Sequence, residues 1–190
     1  MTKKEETWSE AFYILKKSGA DSRRVLIRRC AKEELSDIIR LQKHVHDTIA
    51  HKDVFVLTAE EELAESLASD ICLGAYNDGC LIAFTLIITT PDGPRNIGRH
   101  LNYGRERCRK CVTYDTTFVH PSYTGYGLQS IFLSIKNALA ARMGACEALA
   151  TVSPDNTVSL NNLKAAGFEI AGEKTMYGER RRYIMRKSLV

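Results

Sequence analysis

No apolar run in this 190-residue chain is long enough to cross a bilayer: the longest, Cys80 to Ile88, falls well short of the roughly 20 residues that a spanning helix needs. The first residues are charged and lack the apolar core of a signal peptide. These absences lead us to expect a cytoplasmic protein with no membrane partner. Two common nucleotide motifs are missing as well. No Gly-Lys-Ser/Thr follows Gly125 and Gly127 to make a P-loop, and Ser130 stands where a dinucleotide fingerprint wants a third glycine or alanine. Cys108-Arg-Lys-Cys111 has no second cysteine pair, and only His100 and His120 are obvious helpers, so no metal is expected. The six cysteines are scattered through strand-like stretches and read as small buried hydrophobes in a reducing compartment. Neither an internal repeat nor a low-complexity segment is present.

A net charge of +4 is too mild to demand nucleic acid, since 23 acidic residues are interleaved with the basic ones. No nucleic-acid partner is expected. The 44% hydrophobic and 26% charged balance is that of one globular domain. Two basic clusters stand out. The first, with Lys3, Lys4, Lys16, Lys17, Arg23, Arg24, Arg28 and Arg29, begins in what reads as a solvated N-terminal extension over residues 1–22 and runs into the start of a domain over 23–190. The second runs from Thr89 to Lys110, where prolines and glycines break the pattern and Arg95, Arg99, Arg105, Arg107 and Arg109 outnumber the acids. So long a loop inside a compact domain is usually functional or mobile.

The most informative segment is Val119-His-Pro-Ser-Tyr-Thr-Gly-Tyr-Gly-Leu128. Gly125 and Gly127 let the backbone turn sharply and leave its N–H groups open to close approach. A helix start follows, with unpaired amides and the positive end of the peptide dipoles, which suits phosphate oxygens. From Leu128 the apolar residues Ile131, Phe132, Ile135, Ala138, Leu139 and Met143 recur at helical spacing. A tight turn before an ordinary helix would share this pattern.

Around it the chain reads as a strand at Arg24–Arg29, a helix through Leu35, Ile38, Leu41 and Val45, and a second helix opened by a Thr58/Glu61 capping box. Strands at 71–76 and 80–88 flank Asn77-Asp78-Gly79 as a hairpin. The strand at 112–120, the long helix and the strand at 147–152 form a parallel crossover. A helix beginning at Ser153-Pro154-Asp155-Asn156, with Ser153 or Asp155 as cap, stops at Gly167. Strands at 168–174 and 181–187, joined through Tyr177-Gly178, close the domain. The expected fold is α/β (α+β): a mixed, mostly antiparallel sheet of about six to seven strands with a central parallel pair and helices on both faces.

This order of elements resembles the GNAT family of acetyl-CoA-dependent N-acetyltransferases over about residues 23–190. Two motifs carry the resemblance. Ser122-Tyr-Thr-Gly125-Tyr-Gly127 matches the family's Arg/Gln-x-x-Gly-x-Gly/Ala loop, with Ser122 in place of the Arg or Gln. Asn156-x-x-Ser159 is followed at the family's spacing by Lys164 and Gly167-Phe168. The resemblance implies that the strands ending at Val119 and Val152 splay apart around pantetheine, with backbone groups of Phe118 and Val119 binding it. It also implies that the amides of Tyr123, Thr124, Gly125, Tyr126, Gly127 and Leu128 hold the pyrophosphate, and that Asn156 and Ser159 reach the pantetheine or thioester end. Asn156 could instead simply cap its helix, and Ser159 face solvent.

Acetyl transfer needs a neutral amine, a polarised carbonyl and a proton for the departing thiolate. Alternation places Asp115 on the strand face of Thr117 and Val119, where it would draw the ammonium proton or merely orient the substrate. Tyr114 would then point to the core. Leu163 occupies the position where many relatives carry an acidic tyrosine, so Tyr177 or Tyr183 would have to serve, or water. The amide of Val119 or a neighbour is the expected oxyanion donor. The expected function is acetyl transfer from acetyl-CoA to a primary amine of a small molecule, by a monomer or homodimer. The arginines of residues 89–110 would bind a carboxylate or phosphate on that substrate, or form a solvated loop. Acylation of a peptide or protein, and a CoA-binding sensor without turnover, are the alternatives.

Overall fold

The computed structural model describes residues 10–190; Lys3 and Lys4 lie outside the described residues. Among the described residues, eight strands form a single sheet in the order β1-β2-β3-β4-β5-β6-β8-β7. In chain order they are β1 (Ala11–Lys17), β2 (Ala20–Arg29), β3 (Ile71–Asn77), β4 (Cys80–Ile88), β5 (Cys111–Val119), β6 (Glu147–Val152), β7 (Glu169–Met176) and β8 (Arg180–Ser188). All neighbours run antiparallel except β5 and β6. The α-helices of the described residues are α1 (Leu35–Thr48), α2 (Glu60–Ser69), α3 (Arg105–Cys108), α4 (Leu128–Arg142) and α5 (Thr157–Ala165).

The expected extension over residues 1–22 is corrected from residue 11 onward. Tyr13 pairs with Val25 and Leu15 with Arg23, and the Leu15 side chain is buried, so β1 adds an eighth strand where six or seven were expected. Its signal is the alternation of Tyr13 and Leu15 with Phe12 and Ile14, and the neighbouring lysines obscure it. Two other expectations shift. Helix α2 begins after an Ala59 cap with no side-chain bond, because the Thr58 amide donates to Gln42 Oε1 (2.9 Å), so the Thr58/Glu61 capping box does not form. Helix α5 is capped by Asn156 rather than by Ser153 or Asp155.

Alternation along the strands divides the core between the two sheet faces. On one face Leu73, Ala75, Ala83, Val112 and Tyr114 meet Leu128, Phe132, Ile135 and Leu139 of α4 and Leu160 and Leu163 of α5. On the other, Cys72, Phe84, Leu86 and Phe118 meet Ile38, Leu41 and Val45 of α1 and Leu63 of α2. Burying a side chain such as Phe132 contributes about 2 to 3 kcal/mol. Of the apolar stripe read for α4, Ala138 and Met143 are exposed, and Lys136 takes a buried place instead.

The long basic segment is folded rather than loose. A short 3-10 turn at Ile97–Leu101 and α3 shape it, and the buried Asn96 side chain ties it together by donating to the carbonyls of Pro91 and Cys108. The β3–β4 turn has Asp78 and Gly79 both at positive φ (49° and 80°), the geometry that suits a two-residue hairpin.

Candidate active site

The decisive feature is a gap in the sheet. Parallel pairing between β5 and β6 runs from Cys111 with Glu147 to Tyr114 with Ala150 and stops there, although β5 continues to Val119 and β6 to Val152. On its other side β5 stays paired with β4 as far as Ala83 with Val119. From Asp115 on, the edge of β5 that faces β6 therefore has backbone donors and acceptors with no strand partner, as a strand-like ligand would require.

A β-bulge sits at the same place. Thr85 pairs with Thr117 and Ile87 with Tyr114, so β5 carries one residue more than β4 over this stretch. The extra residue overturns the simple alternation. Thr117 Oγ1 accepts from Lys136 of α4 and Val119 packs into the core under α4, whereas Asp115 points to the opposite face and pairs with Arg95. Thr113, whose hydroxyl accepts from the Ile97 amide (3.1 Å), shares that face with Asp115. Tyr114 is buried as expected, its hydroxyl donating to Asn137 Oδ1.

The gap opens into a cleft of about 300 Å³ that joins the two sheet faces. Its α4–α5 side is lined by Gln129, Lys136, Asn156, Ser159 and Leu163. Its other side is lined by Asp115, Thr151, Tyr177, Arg95 and Arg182, with the α1–α2 connection from Val54 to Thr58 as a wall. The structure thus brings together Asp115, Tyr177, Asn156 and Ser159. The Phe118 side chain lies in the core beneath α1, and Tyr183 is partly buried against the other core, away from the cleft walls.

Asn156 caps α5 and lines the cleft. Its Oδ1 accepts the Ser159 amide (3.1 Å) as the α5 cap, while the residue still borders the cleft. Ser159 Oγ accepts from Gln129 Nε2 (2.9 Å), and Gln129 Oε1 accepts from Asn162, so a chain of bonds fixes α5 against the first turn of α4.

The glycine loop departs from the expected cradle at one end. The Tyr123 and Thr124 amides are already spent within a tight turn, donating to the carbonyls of His120 (2.8 Å) and Pro121 (3.1 Å). The Tyr123 and Tyr126 side chains are buried anchors, stacked beneath the Arg23 guanidinium of β2. The amides from Gly125 to Leu128 have no such partner within the turn. Gly125 and Gly127 adopt φ of 85° and 77°, Gly127 caps α4 without any side chain, and nothing lies within 4 Å of where its Cβ would stand. Lys17 Nζ, brought by β1, donates to the Thr124 carbonyl (3.1 Å) and adds positive charge at the rim.

Electrostatically the cleft is mixed. Asp115 Oδ2 is held by Arg95 Nη2 at 2.6 Å, and Arg95 also donates to Ser66 Oγ. The other arginines of the 89–110 segment are occupied: Arg105 and Arg109 by Asp92, Arg107 by Glu147, and Arg99 by the Asp92 carbonyl. Only Arg95 among them lines the cleft. The Tyr177 side chain is 43% exposed, yet desolvation at its hydroxyl in the cleft holds the phenol above its ordinary range, so it keeps its proton at neutral pH; that hydroxyl lies 3.3 Å from Thr151 Oγ1. Tyr177 sits at φ 54°, an uncommon conformation for a bulky residue and one often found at functional sites. Burial lowers the Lys136 ammonium to about 7.

Sequence reasoning missed Lys136, Gln129 and Arg182. Lys136 had a readable signal, a charge four residues after Phe132 on the apolar face of α4. Arg182 had almost none, since Arg180 and Arg181 beside it are of the same type. Only the register of β8 puts it on the inward face shared with Ile184. Among the described residues no group of three or more His, Cys, Asp or Glu converges as a metal site, and the thiols of Cys108 and Cys111 donate to nearby carbonyls.

No family model matches the sequence, and no curated protein is detectably similar to it. Solved structures are. A GNAT-family acetyltransferase from Streptococcus pneumoniae is 22% identical, with a TM-score of 0.63 over 86% of this chain and 98% of that one. The ribosomal-protein-S18-alanine N-acetyltransferase of Escherichia coli is 15% identical, with a TM-score of 0.67 over 87% and 94%. PaiA N-acetyltransferase from Thermoplasma acidophilum, solved with coenzyme A, is 16% identical, with a TM-score of 0.62 over 86% and 98%. With a parted parallel strand pair, a glycine-capped helix beside it and this agreement over nearly the whole length, the chain has the GNAT N-acetyltransferase fold.

Proposed function

We propose that this protein transfers the acetyl group of acetyl-CoA to a primary amine of a small molecule. The observation that carries the reading is the unpaired edge of β5 from Asp115 to Val119, lying beside a helix start whose cap has no side chain. A pantetheine arm fits the first and a pyrophosphate the second, for the reasons of strand pairing and helix-end charge already given. Acetyl-CoA supplies the activated acyl group. The β5 edge would orient its thioester and Gly125 to Gln129 would hold its phosphates, while Lys17 adds charge at the rim.

The chain's own groups account for the remaining steps. Asp115 accepts the proton of the substrate ammonium through Oδ1, the oxygen not held by Arg95, and Arg95 fixes the carboxylate in place. The Val119 amide region donates to the carbonyl oxygen as charge develops there. Tyr177, protonated at neutral pH, gives its proton to the leaving sulfur and is itself positioned by Thr151. The limited cleft volume and the wall formed by the α1–α2 connection favour a small acceptor over a peptide segment.

The test combines CoA titration calorimetry with thiol release from acetyl-CoA against amines, amino acids and peptides, with products identified by mass spectrometry. Thiol release with acetylated small amines supports the proposal. Release on peptides alone would shift it to protein acylation, and CoA binding without release on any acceptor would make the protein a sensor. Gly125→Val with Gly127→Val should abolish CoA affinity, with circular dichroism checking the fold because both positions have positive φ; retained affinity would place the coenzyme elsewhere.

A further inference from the structure

Arg182 is the one guanidinium on the acceptor side of the cleft that has no carboxylate partner. It lies on β8 and is only 4% exposed. One of its nitrogens, Nη2, donates to the Asp53 carbonyl at 2.7 Å, and no acidic group among the described residues comes within 4.0 Å. The Asp53 carboxylate instead faces Arg180 at 3.6 Å. Burial and the nearby Arg180 both press against its charge, yet a guanidinium cannot shed it at any working pH. Arg95, the other arginine of the cleft, is already neutralised by Asp115.

A buried cation without a counterion is costly, and proteins tolerate one where a ligand completes the pair. A planar fork with free N–H groups selects a carboxylate in two-point contact. We infer that the acceptor carries a carboxylate as well as its amine, as a free amino acid or a close analogue does, and that Arg182 binds that carboxylate. The inference rests on the transferase reading of the cleft. In it the two ends of a zwitterion meet opposite charges: Asp115 receives the ammonium and Arg182 the carboxylate, with Tyr177 near both.

Matched acceptors test this. Free amino acids are compared with the corresponding amides, whose amine is retained and whose carboxylate is not, first by calorimetric binding to the CoA complex and then by kcat/KM. Two charge-assisted hydrogen bonds predict that wild type favours the acid about ten- to a hundredfold. Arg182→Gln should collapse that ratio towards one, and Arg182→Lys, which keeps charge but not the fork, should leave a partial preference. CoA affinity, read in the same titrations, reports whether each variant is folded. Equal binding of acid and amide by wild type overturns the inference. So does an Arg182→Gln variant that weakens acid and amide by the same factor, because that is the signature of a guanidinium that only props the Asp53 segment. Failure of the transferase reading shows differently: CoA binds but no thiol appears, and the binding ratio still decides for or against carboxylate recognition.

Discussion

Replacing Lys136 by methionine should stabilise the protein at neutral and acid pH and abolish a pH dependence that the wild type carries. The ammonium is 1% exposed in the middle of α4, and its hydrogen bond is a long one, 3.4 Å to Thr117 Oγ1, with the Tyr114 ring 5.1 Å away. Burial lowers it from 10.5 to about 7, against a weaker opposing influence of Asp115. At about 1.4 kcal/mol per pH unit the shift corresponds to about 5 kcal/mol. Because the folded-state value is the depressed one, between pH 7 and 10.5 the unfolded chain binds a proton that the folded chain does not. Stability therefore rises with pH across that window by about 1.4 kcal/mol per unit, and the whole penalty is felt below pH 7. The neighbouring thiol of Cys72 is pushed up to about 12 by its own burial, so it stays neutral throughout and does not blur the comparison.

Urea unfolding of wild type and Lys136→Met at pH 6, 7.5, 9 and 10 would measure this. The difference between them isolates the one group, since the other titrations are common to both. We expect methionine to be favoured by several kcal/mol at pH 6 and the advantage to shrink steadily to pH 10. Two stability curves that run parallel over this range would refute the reasoning, and would mean that the ammonium finds water or a counterion in solution. Against a typical domain stability of about 5 to 15 kcal/mol the penalty is large.

Two further outcomes test the proposed chemistry. Asp115→Asn should lower kcat/KM by about 10²- to 10⁴-fold and move the rate profile to higher pH, where the acceptor amine is already neutral; steady-state kinetics with an unchanged profile would remove Asp115 as the base. Tyr177→Phe should lower kcat by about tenfold or more with little change in CoA affinity, and an unaltered kcat would assign the thiolate's proton to water.

Much of the site was readable because it depends on backbone chemistry. Gly125 and Gly127 need positive φ, and Asn156 heads a helix that Gly167 ends; such requirements act locally and leave a mark in the residue type. Where several residues could satisfy one local rule, the reading slipped. Thr58 looked like a cap, but its amide was claimed by Gln42 sixteen residues earlier, and Asn156 displaced Ser153. The first strand was hidden among lysines whose long side chains leave a strand edge as easily as they leave a solvated tail.

The main strands and helices after β1, the parallel crossover and the glycine-opened helix were legible in the residues alone, because hydrophobic period and permitted φ are properties of neighbouring residues. Tertiary structure alone decided which charges meet. A single extra residue in β5 turned Asp115 away from Thr117 and towards Arg95; Arg105, Arg107 and Arg109 found acidic partners of their own; and the register of β8 left Arg182 buried without one. Pairing of this kind depends on strands far apart in the chain, and one position of slip in a period of two reverses it.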